Sequence, residues 1–342
     1  MTSRDQPRGG PRIGVRIAGT GSALPSRVVT NRDLEKVMDT SDEWIVQRTG
    51  IRERRVHDRD AGESAEALGA KALAAALADA RTEASEVDLV IAATMTASMP
   101  TPSTACVISS ELGCGSAGAF DINAACSGFV FALNMAHEFI RGGQARCVGI
   151  VGVDTITRHL EFSDFGRSVS VLFGDAAGAV VLRADDDPAR GMLAQAMHAD
   201  GGRAHHLYIP IRHDDRLDPT DTDDRQLGLV RMNGQAVFKF AVSKFPEVIE
   251  ETLNKVRMAP DEVDLYVCHQ ANTRILDAAR QRFGLSADRL PVNMERYGNT
   301  VAASVPLLFD ELRKAGRVPE GGRVMFLAFG AGLTWGSSLW KL

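Results

Sequence analysis

The chain has 342 residues, which is enough to bury one large core or two domains of moderate size. Its 44% hydrophobic and 24% charged residues are ordinary for a globular enzyme. The net charge of −5 gives no overall attraction to nucleic acid, and no apolar run approaches the length of a membrane span. We therefore expect no nucleic-acid partner and no membrane insertion.

The cysteines form no C-x-x-C pair; they are Cys106, Cys114, Cys126, Cys147 and Cys268. Residues 1–11 are polar and lack the apolar segment of an export signal. Disulfides are rare in the reducing cytosol. The sequence thus predicts reduced thiols in a cytoplasmic protein.

The N-terminal part predicts two helices and a strand. Ser41 can cap a helix that carries Trp44 and Arg48 four residues apart on one face. Residues 64–80 have an Ala-rich amphipathic pattern that predicts a second helix, and residues 87–94 predict the strand after it.

A basic segment, residues 48–55, begins within the first of these helices and contains Arg48, Arg52, Arg54 and Arg55. We expect this segment to be exposed. It is either a solvated charged face or the entrance of a phosphate-binding site, and the residues by themselves leave both open.

A repeat divides the chain. The tetrapeptide Glu-Val-Asp-Leu at residues 86–89 recurs at 262–265, each time at the start of an apolar strand. A second strand, at residues 148–152, has its counterpart at 324–328. Both pairs are 176 residues apart, which is hard to explain by chance.

The repeat predicts two homologous α/β halves, covering residues 12–185 and 186–342. Each half is expected to contain a central sheet with covering helices. The acidic run at residues 185–187, followed by Pro188, is a plausible boundary between them.

Small residues bring the chain to Cys126, and an apolar run from Phe129 to Ile140 follows it. The run predicts a helix buried on nearly every side, with Cys126 at its N-terminus. The helix dipole there favours a thiolate, which lowers the thiol pKa and makes a nucleophile. A structural cysteine is the competing interpretation, and this stretch alone does not separate the two.

Two polar residues of the second half fall at related positions. His269 ends the predicted strand 265–268, and Asn299 precedes Ala302, which the repeat makes equivalent to Cys126. Strand ends are where α/β proteins place reacting groups. Together with Cys126, these positions favour a catalytic over a structural interpretation of His269.

The C-terminal segment 329–336 predicts a Gly-rich turn that leads into a final strand. It is not a phosphate-binding loop, because it lacks both G-x-G-x-x-G and a following Lys-Ser/Thr. We expect backbone N–H groups of this turn to face a cavity.

Together these residues resemble the β-ketoacyl-acyl-carrier-protein synthase III family of thiolase-like condensing enzymes, over essentially the whole chain beyond the first ten or so residues. The motifs that carry the resemblance are residues 39–46 and 48–51, Ala124-Ala125-Cys126-Ser127-Gly128-Phe129, Phe173-Gly174-Asp175, His269-Gln270-Ala271-Asn272, Gly298-Asn299-Thr300, Gly330-Ala331-Gly332 and Thr334-Trp335-Gly336.

The resemblance implies an α/β fold with αβαβα layers built from two pseudo-repeats, and a homodimer. It implies a catalytic triad of Cys126, His269 and Asn299. The implied reaction starts fatty-acid synthesis by decarboxylative condensation of an acyl-CoA primer with malonyl-acyl-carrier protein. These two are substrates, so no cofactor or metal is expected.

Further site residues follow from the same resemblance. The implied coenzyme A contacts are Thr40, Trp44, Arg48, Arg167, Gly234 and Asn272, with adenine between Trp44 and Arg167. The implied docking site for acyl-carrier protein is Arg274, with Lys239, Arg280 and Arg282 as weaker candidates.

The expected oxyanion hole consists of the backbone N–H groups of Cys126 and Ala331. Thr101 stands where acetyl-primed family members often carry Phe in the acyl pocket at the dimer interface. A smaller side chain there would admit a longer or branched primer, unless Met95 or Met99 compensates.

Three other functions compete with this one. They are an acyltransferase or starter condensing enzyme of a specialised, polyketide-type pathway, a catalytically silent partner subunit, and a Cys-His hydrolase. Residues 298–300 favour carbon–carbon bond formation, because only decarboxylative condensation needs the second oxyanion donor. Intact Cys126, His269 and Asn299 argue against a silent subunit, and no third residue is placed to orient His269 in a hydrolase.

Overall fold

The computed structural model describes residues 13–217, 223, 225 and 227–342. The expectations for residues 1–11 and for residue 12 as a domain boundary lie outside this part of the chain. No helix within the described ranges is both long enough and apolar enough to cross a membrane.

In the first half, the strands are β1 (Gly14–Ala23), β2 (Arg27–Thr30), β3 (Glu53–Val56), β4 (Leu89–Ala93), β5 (Gly118–Ile122), β6 (Cys147–Asp154) and β7 (Ala176–Asp185). The helices there are α1 (Asn31–Leu34), α2 (Asp42–Thr49), α3 (Ala65–Asp79), α4 (Thr104–Leu112), α5 (Gly128–Arg141) and α6 (Arg167–Ser170).

In the second half, the strands are β8 (Gly191–Ala199), β9 (Leu207–Tyr208), β10 (Arg231–Met232), β11 (Leu265–Cys268), β12 (Arg323–Gly330) and β13 (Thr334–Lys341). The helices there are α7 (Gly234–Val256), α8 (Thr273–Phe283), α9 (Met294–Tyr297) and α10 (Ser304–Lys314).

Two larger sheets share the order of four strands, and the first sheet has β5 as an additional edge strand. The first is β1-β7-β6-β4-β5, and the second is β8-β13-β12-β11. In each, two neighbouring parallel strands (β4 and β6, or β11 and β12) are followed by antiparallel pairings. This is the arrangement expected of two repeated halves. The division at residue 185 falls between β7 and β8 and stays a prediction.

Helices α5 and α10 form the middle layer. Helix α5 contacts strands of both sheets, and α10 packs on β7, β1 and β11. Helix α3 covers the outer face of the first sheet, and α7 covers that of the second. The expected αβαβα layering is therefore confirmed.

Helix α2 starts at its predicted cap, Ser41, and α3 also starts at a serine cap. Ser41 Oγ accepts the backbone N–H of Trp44 at 3.1 Å, and Ser64 Oγ accepts that of Ala67 at 3.2 Å. Helix α5 matches the apolar run 129–140 to within one residue at each end. Its apolar residues are buried because both sheets cover it.

The expectation that the basic segment 48–55 is exposed is wrong for Arg54. This side chain projects from β3 and is fully buried. Its guanidinium donates to Asn31 Oδ1 at 2.8 Å and to the carbonyl oxygen of Val171 at 2.9 Å. Burial lowers the pKa of Arg54 to about 10. Arg54 therefore holds chain segments together rather than facing solvent.

Candidate active site

Cys126 lies in a 3₁₀ turn, Ala125–Ser127, between β5 and α5. Ala125 has a φ of 46°, in the left-handed region that non-glycine residues rarely adopt. The turn places Cys126 just ahead of α5 rather than in its first turn, with 6% of its surface exposed. Local backbone geometry thus sets the thiol at the end of β5.

The second half repeats this geometry. Val301 has a φ of 52° and begins the 3₁₀ turn Val301–Ala303, which leads directly into α10. Asn299 comes two residues before Val301, and His269 follows β11. The two turns pack on each other, so residues from both halves meet at one place.

A cavity of about 240 Å³ is lined by Cys126, His269 and Asn299 together. Phe329 and Gly330 also line it, from the end of β12. The structure thus brings the three side chains singled out from sequence to one cavity, as the resemblance implies. No group of three or more His, Cys, Asp or Glu side chains in the described ranges is arranged to hold a metal.

The expected lowering of the Cys126 thiol pKa is wrong. Burial raises this pKa, the nearby Asp154 carboxylate raises it further, and a backbone hydrogen bond lowers it only in part. The sequence argument considered only the helix dipole and left out burial, which disfavours the charged form. At rest Cys126 is therefore a thiol, and a base must take its proton.

His269 is buried, with 1% of its surface exposed, and its ring meets Phe329 edge-on at 5.3 Å between centroids. Nδ1 lies 2.7 Å from Ser304 Oγ, so the expectation that no third residue is placed to orient His269 is wrong. Burial lowers the pKa of His269 to about 3, so the imidazole is neutral at physiological pH.

Asn299 is fixed on three sides by hydrogen bonds. Its backbone N–H donates to Leu172 O at 2.8 Å, and its carbonyl accepts from Gly174 N at 3.1 Å. Its Oδ1 accepts the backbone N–H of Val301 at 2.9 Å. Because Oδ1 is engaged, Nδ2 is the side-chain atom available to donate to a ligand.

The Gly-rich turn packs directly on the nucleophile. A Cβ added to Gly330 would lie 2.7 Å from the backbone nitrogen of Cys126. Thr334 Oγ1 lies 3.1 Å from the carbonyl oxygens of both Ala124 and Ala331. These contacts hold Ala331 beside the turn that carries Cys126, as its expected place in an oxyanion hole requires.

Sequence reasoning missed Asp154, a fully buried carboxylate at the end of β6. Its Oδ1 accepts from Met95 N at 2.9 Å and Thr96 Oγ1 at 2.9 Å, and its Oδ2 accepts from Ala302 N at 3.1 Å. Burial raises the pKa of Asp154 to about 7. A signal was present, because an acidic residue at the end of a fully apolar strand needs buried partners.

The outer end of the cavity is lined by Trp44, Arg48 and Asn272, together with Gly234 at the start of α7. The guanidinium carbons of Arg48 and Arg167 lie 4.4 and 5.1 Å from the centre of the Trp44 ring. A planar group stacked between Trp44 and Arg167 needs about 3.5 Å to the Trp44 ring and the same distance again to the guanidinium plane. An adenine there therefore requires Arg167 to move.

Asn272 and Thr40 have different surroundings. Asn272 caps α8 by accepting Arg274 N at 2.9 Å, and it donates to Arg48 O at 3.1 Å. Thr40 does not line the cavity, and within the described part of the chain its buried hydroxyl has no hydrogen-bond partner. The implied role of Thr40 in coenzyme A binding stays a prediction.

The candidates for carrier docking fall into two groups. Arg274 and Lys239 are exposed, and the Arg274 guanidinium carbon lies 5.5 Å from the centre of the Phe238 ring. Arg280 instead pairs with an aspartate at 2.8 Å, and Arg282 pairs with a glutamate at 2.7 Å. The structure thus favours Arg274 and Lys239 as the groups open to a partner.

A smaller cavity of about 30 Å³ is also lined by Cys126. Apolar side chains line it, among them Met95, Ile156 and Phe173. Thr101 is exposed and lines neither cavity. The expected role of Thr101 in an acyl pocket requires a second subunit and stays a prediction. Met95, in contrast, lines the smaller cavity within this chain.

Comparisons with known proteins agree with this site. The family model 3-Oxoacyl-[acyl-carrier-protein (ACP)] synthase III matches residues 120–201, and the model of its C-terminal part matches residues 253–342. The beta-ketoacyl-[acyl-carrier-protein] synthase III of Xylella fastidiosa (strain 9a5c) is 44% identical, covering 96% of this chain and 98% of its own.

Solved structures give the same result. The 3-oxoacyl-[acyl-carrier-protein] synthase III from Aquifex aeolicus VF5 has a TM-score of 0.87 and 40% identity, covering 96% of this chain and 100% of that one. The priming beta-ketosynthase from the R1128 polyketide biosynthetic pathway has a TM-score of 0.89 and 35% identity, covering 98% of each chain.

Proposed function

Because the chain belongs to the β-ketoacyl-acyl-carrier-protein synthase III family of condensing acyltransferases, we propose that its cavity joins an acyl-CoA primer to malonyl-acyl-carrier protein by decarboxylative condensation. One observation supports this most directly: Cys126, His269 and Asn299 line a single cavity. A nucleophile and two side chains able to act on one thioester oxygen are what this chemistry needs.

In the first stage, Cys126 attacks the carbonyl carbon of the acyl-CoA thioester. Backbone N–H groups of Cys126 and Ala331 stabilise the oxyanion, and coenzyme A departs to leave an acyl-enzyme. The packing of Gly330 against Cys126 supports this assignment, because it holds Ala331 close to the reacting sulfur.

In the second stage, malonyl-acyl-carrier protein enters and loses CO₂. Asn299 Nδ2 and His269 Nε2 donate hydrogen bonds to the thioester oxygen as the enolate forms. The carbanion then attacks the acyl group on Cys126 and releases β-ketoacyl-acyl-carrier protein. The reaction balances with these substrates alone, so the proposal includes no cofactor.

Both substrates reach the cavity from the end at Trp44. In this proposal Trp44, Arg48, Arg167, Gly234 and Asn272 contact coenzyme A. Arg274 and Lys239 bind the carrier protein, because their exposed positive charges complement an acidic partner.

The proposal includes a homodimer in the cytoplasm. Strand β5 lies at an open edge of its sheet, where a second copy could pair. Asp121 of β5 accepts the backbone N–H groups of Thr104 and Ala105 at 2.7 and 2.8 Å, which ties the segment after Thr101 to this edge. All five cysteines are unpaired, as expected in a reducing compartment. Sedimentation analysis tests the dimer.

Mass spectrometry of the intact protein tests the chemistry. Incubation with acyl-CoA should add one acyl group to the wild type and none to Cys126→Ala. Cys106→Ala is the matched control, because Cys106 is the exposed cysteine and lies outside the cavity. Addition of malonyl-acyl-carrier protein should then remove the acyl group as a β-ketoacyl product. Acylation elsewhere, or no condensation, would contradict the proposal.

A priming role in a polyketide-type pathway is the second candidate. It is favoured by the likeness to the R1128 priming ketosynthase at a TM-score of 0.89. Rates with a series of straight and branched acyl-CoA primers distinguish the two. A sharp preference for acetyl-CoA supports the start of fatty-acid synthesis, whereas a preference for longer primers supports the specialised pathway.

A further inference from the structure

The hydroxyl of Ser304 lies between two groups that compete for its single proton. Ser304 begins α10 and is buried, with 1% of its surface exposed. Its Oγ lies 2.7 Å from His269 Nδ1 and 2.9 Å from the carbonyl oxygen of Val301. A carbonyl oxygen only accepts hydrogen bonds, whereas Nδ1 of a neutral imidazole either donates or accepts.

Both contacts are hydrogen bonds in only one arrangement. The Ser304 hydroxyl donates to Val301, and its oxygen accepts from Nδ1–H of His269. The Val301 carbonyl also accepts the backbone N–H of Ser304, so the hydroxyl uses its second lone pair. If the hydroxyl donated to Nδ1 instead, this second bond would be lost in a buried place, where hydrogen bonds are costly to leave unmade. The arrangement with both bonds puts the imidazole proton on Nδ1 and a lone pair on Nε2.

We propose that Ser304 is a positioning residue that fixes His269 in the Nδ1–H tautomer, so that Nε2 is the base that takes the Cys126 proton. The inference rests on the proposed condensation and deepens its first stage. It explains how a buried cysteine that is a thiol at rest becomes a nucleophile when a primer binds.

The proton movements balance in both stages. First, the Cys126 proton moves to Nε2 as the new bond from sulfur to the primer carbonyl carbon forms. The coenzyme A sulfur leaves with the electron pair of its broken bond, takes that proton and departs as a thiol. In the second stage, Nε2 takes a proton from solvent when the malonyl carboxylate enters, because a nearby negative charge favours the imidazolium.

Nε2–H then donates to the thioester oxygen while CO₂ leaves and the carbanion attacks the acyl group. As the acyl–sulfur bond breaks, the Cys126 sulfur takes the proton from Nε2. Throughout both stages His269 Nδ1–H keeps donating its hydrogen bond to Ser304 Oγ. The same hydrogen bond therefore orients the imidazole in both stages.

Nitrogen NMR of protein labelled with ¹⁵N-histidine tests the tautomer directly. Two-bond ¹H–¹⁵N correlations show which ring nitrogen carries the proton, and His269→Gln identifies the signals of His269. We expect Nδ1 protonated and Nε2 unprotonated in the wild type. A wild-type spectrum with the proton on Nε2 would overturn the inference without any variant.

Rates of acyl transfer in Ser304 variants test the positioning role. Ser304→Ala should lose the Nδ1–H preference and slow acyl transfer to Cys126 at least tenfold. Ser304→Thr keeps the hydroxyl and should restore both the tautomer and the transfer rate. If folded Ser304→Ala transferred acyl groups to Cys126 as fast as the wild type does, the inference would be wrong, but the proposed condensation would still stand. Failure of the wild type to acylate Cys126 would instead sink the proposed function.

Discussion

Asn299 and Val301 are joined by a hydrogen bond of 2.9 Å from the Val301 backbone N–H to Asn299 Oδ1. The bond orients the amide, and so it decides which atom of Asn299 can donate to a substrate. It also supports Val301 in a backbone conformation that β-branched residues rarely adopt, with a φ of 52°.

Asn299→Asp separates the two roles of Asn299. The carboxylate keeps an acceptor for Val301 N–H but replaces the Nδ2 donor with an acceptor. We expect condensation to fall by about 10²–10³-fold, as for loss of one oxyanion donor, while acylation of Cys126 continues. Single-turnover measurements of each stage check this. Asn299→Ala removes both roles, and equal loss of acylation in Asn299→Asp would contradict the assignment.

Gly330→Ala should abolish acylation of Cys126. The new methyl group would lie 2.7 Å from the Cys126 backbone nitrogen and 3.1 Å from its Cβ, so the turn must move away from the nucleophile. Gly201→Ala is the control, because its methyl group would meet nothing within 4 Å. Acyl incorporation by mass spectrometry is the readout. Unchanged acyl incorporation in Gly330→Ala would show that acylation of Cys126 does not depend on the position of the Gly-rich turn.

Asp154→Asn should lower the pKa of the Cys126 thiol. The ionised Asp154 carboxylate raises this pKa, so its removal lets the thiolate form at lower pH. The pH profile of iodoacetamide alkylation at Cys126 measures the change. An unshifted profile would mean that Asp154 does not act on Cys126 by charge.

The same carboxylate makes stability depend on pH. Burial raises the pKa of Asp154 from 3.8 to about 7, so the folded state binds more protons than the unfolded state in this window. Its contribution to the free energy of unfolding therefore falls as the pH rises from about 4 to 7. Denaturant titrations across this range should show that the stability of the wild type relative to Asp154→Asn falls as the pH rises.

Trp44→Ala should weaken acyl-CoA binding. Stacking of a base on an aromatic ring contributes roughly 1–3 kcal/mol, which corresponds to a rise in KM of about 5-fold to 150-fold. We expect kcat to change little, because Trp44 lies at the outer end of the cavity. Trp44→Phe keeps an aromatic face and should lose less. A fall in kcat with unchanged KM would contradict a binding role.

Arg274→Glu should raise KM for malonyl-acyl-carrier protein and leave KM for acyl-CoA unchanged. The matched control is Arg282→Glu, since Arg282 already pairs with Glu250 and has less charge to offer a partner. Its effect should be smaller. Equal effects of the two substitutions would show that docking follows the overall charge of the surface rather than Arg274.

The sequence alone singled out the three side chains that the structure brings to one cavity. The 176-residue repeat related Cys126 to Ala302, and the motifs identified His269 and Asn299. Local patterns were enough for this, because helix caps and apolar periodicity depend on neighbouring residues. Ser41 as the cap of α2 and the bounds of α5 were therefore predicted closely.

Only the tertiary structure decided the ionisation of the site and its partners. Burial by both sheets makes Cys126 a thiol and His269 a neutral base, against the expected effect of the helix dipole. Asp154 and Ser304 drew no attention in the sequence, because their importance comes from groups far away along the chain. A pKa depends on everything packed around a group, and that packing exists only once the chain has folded.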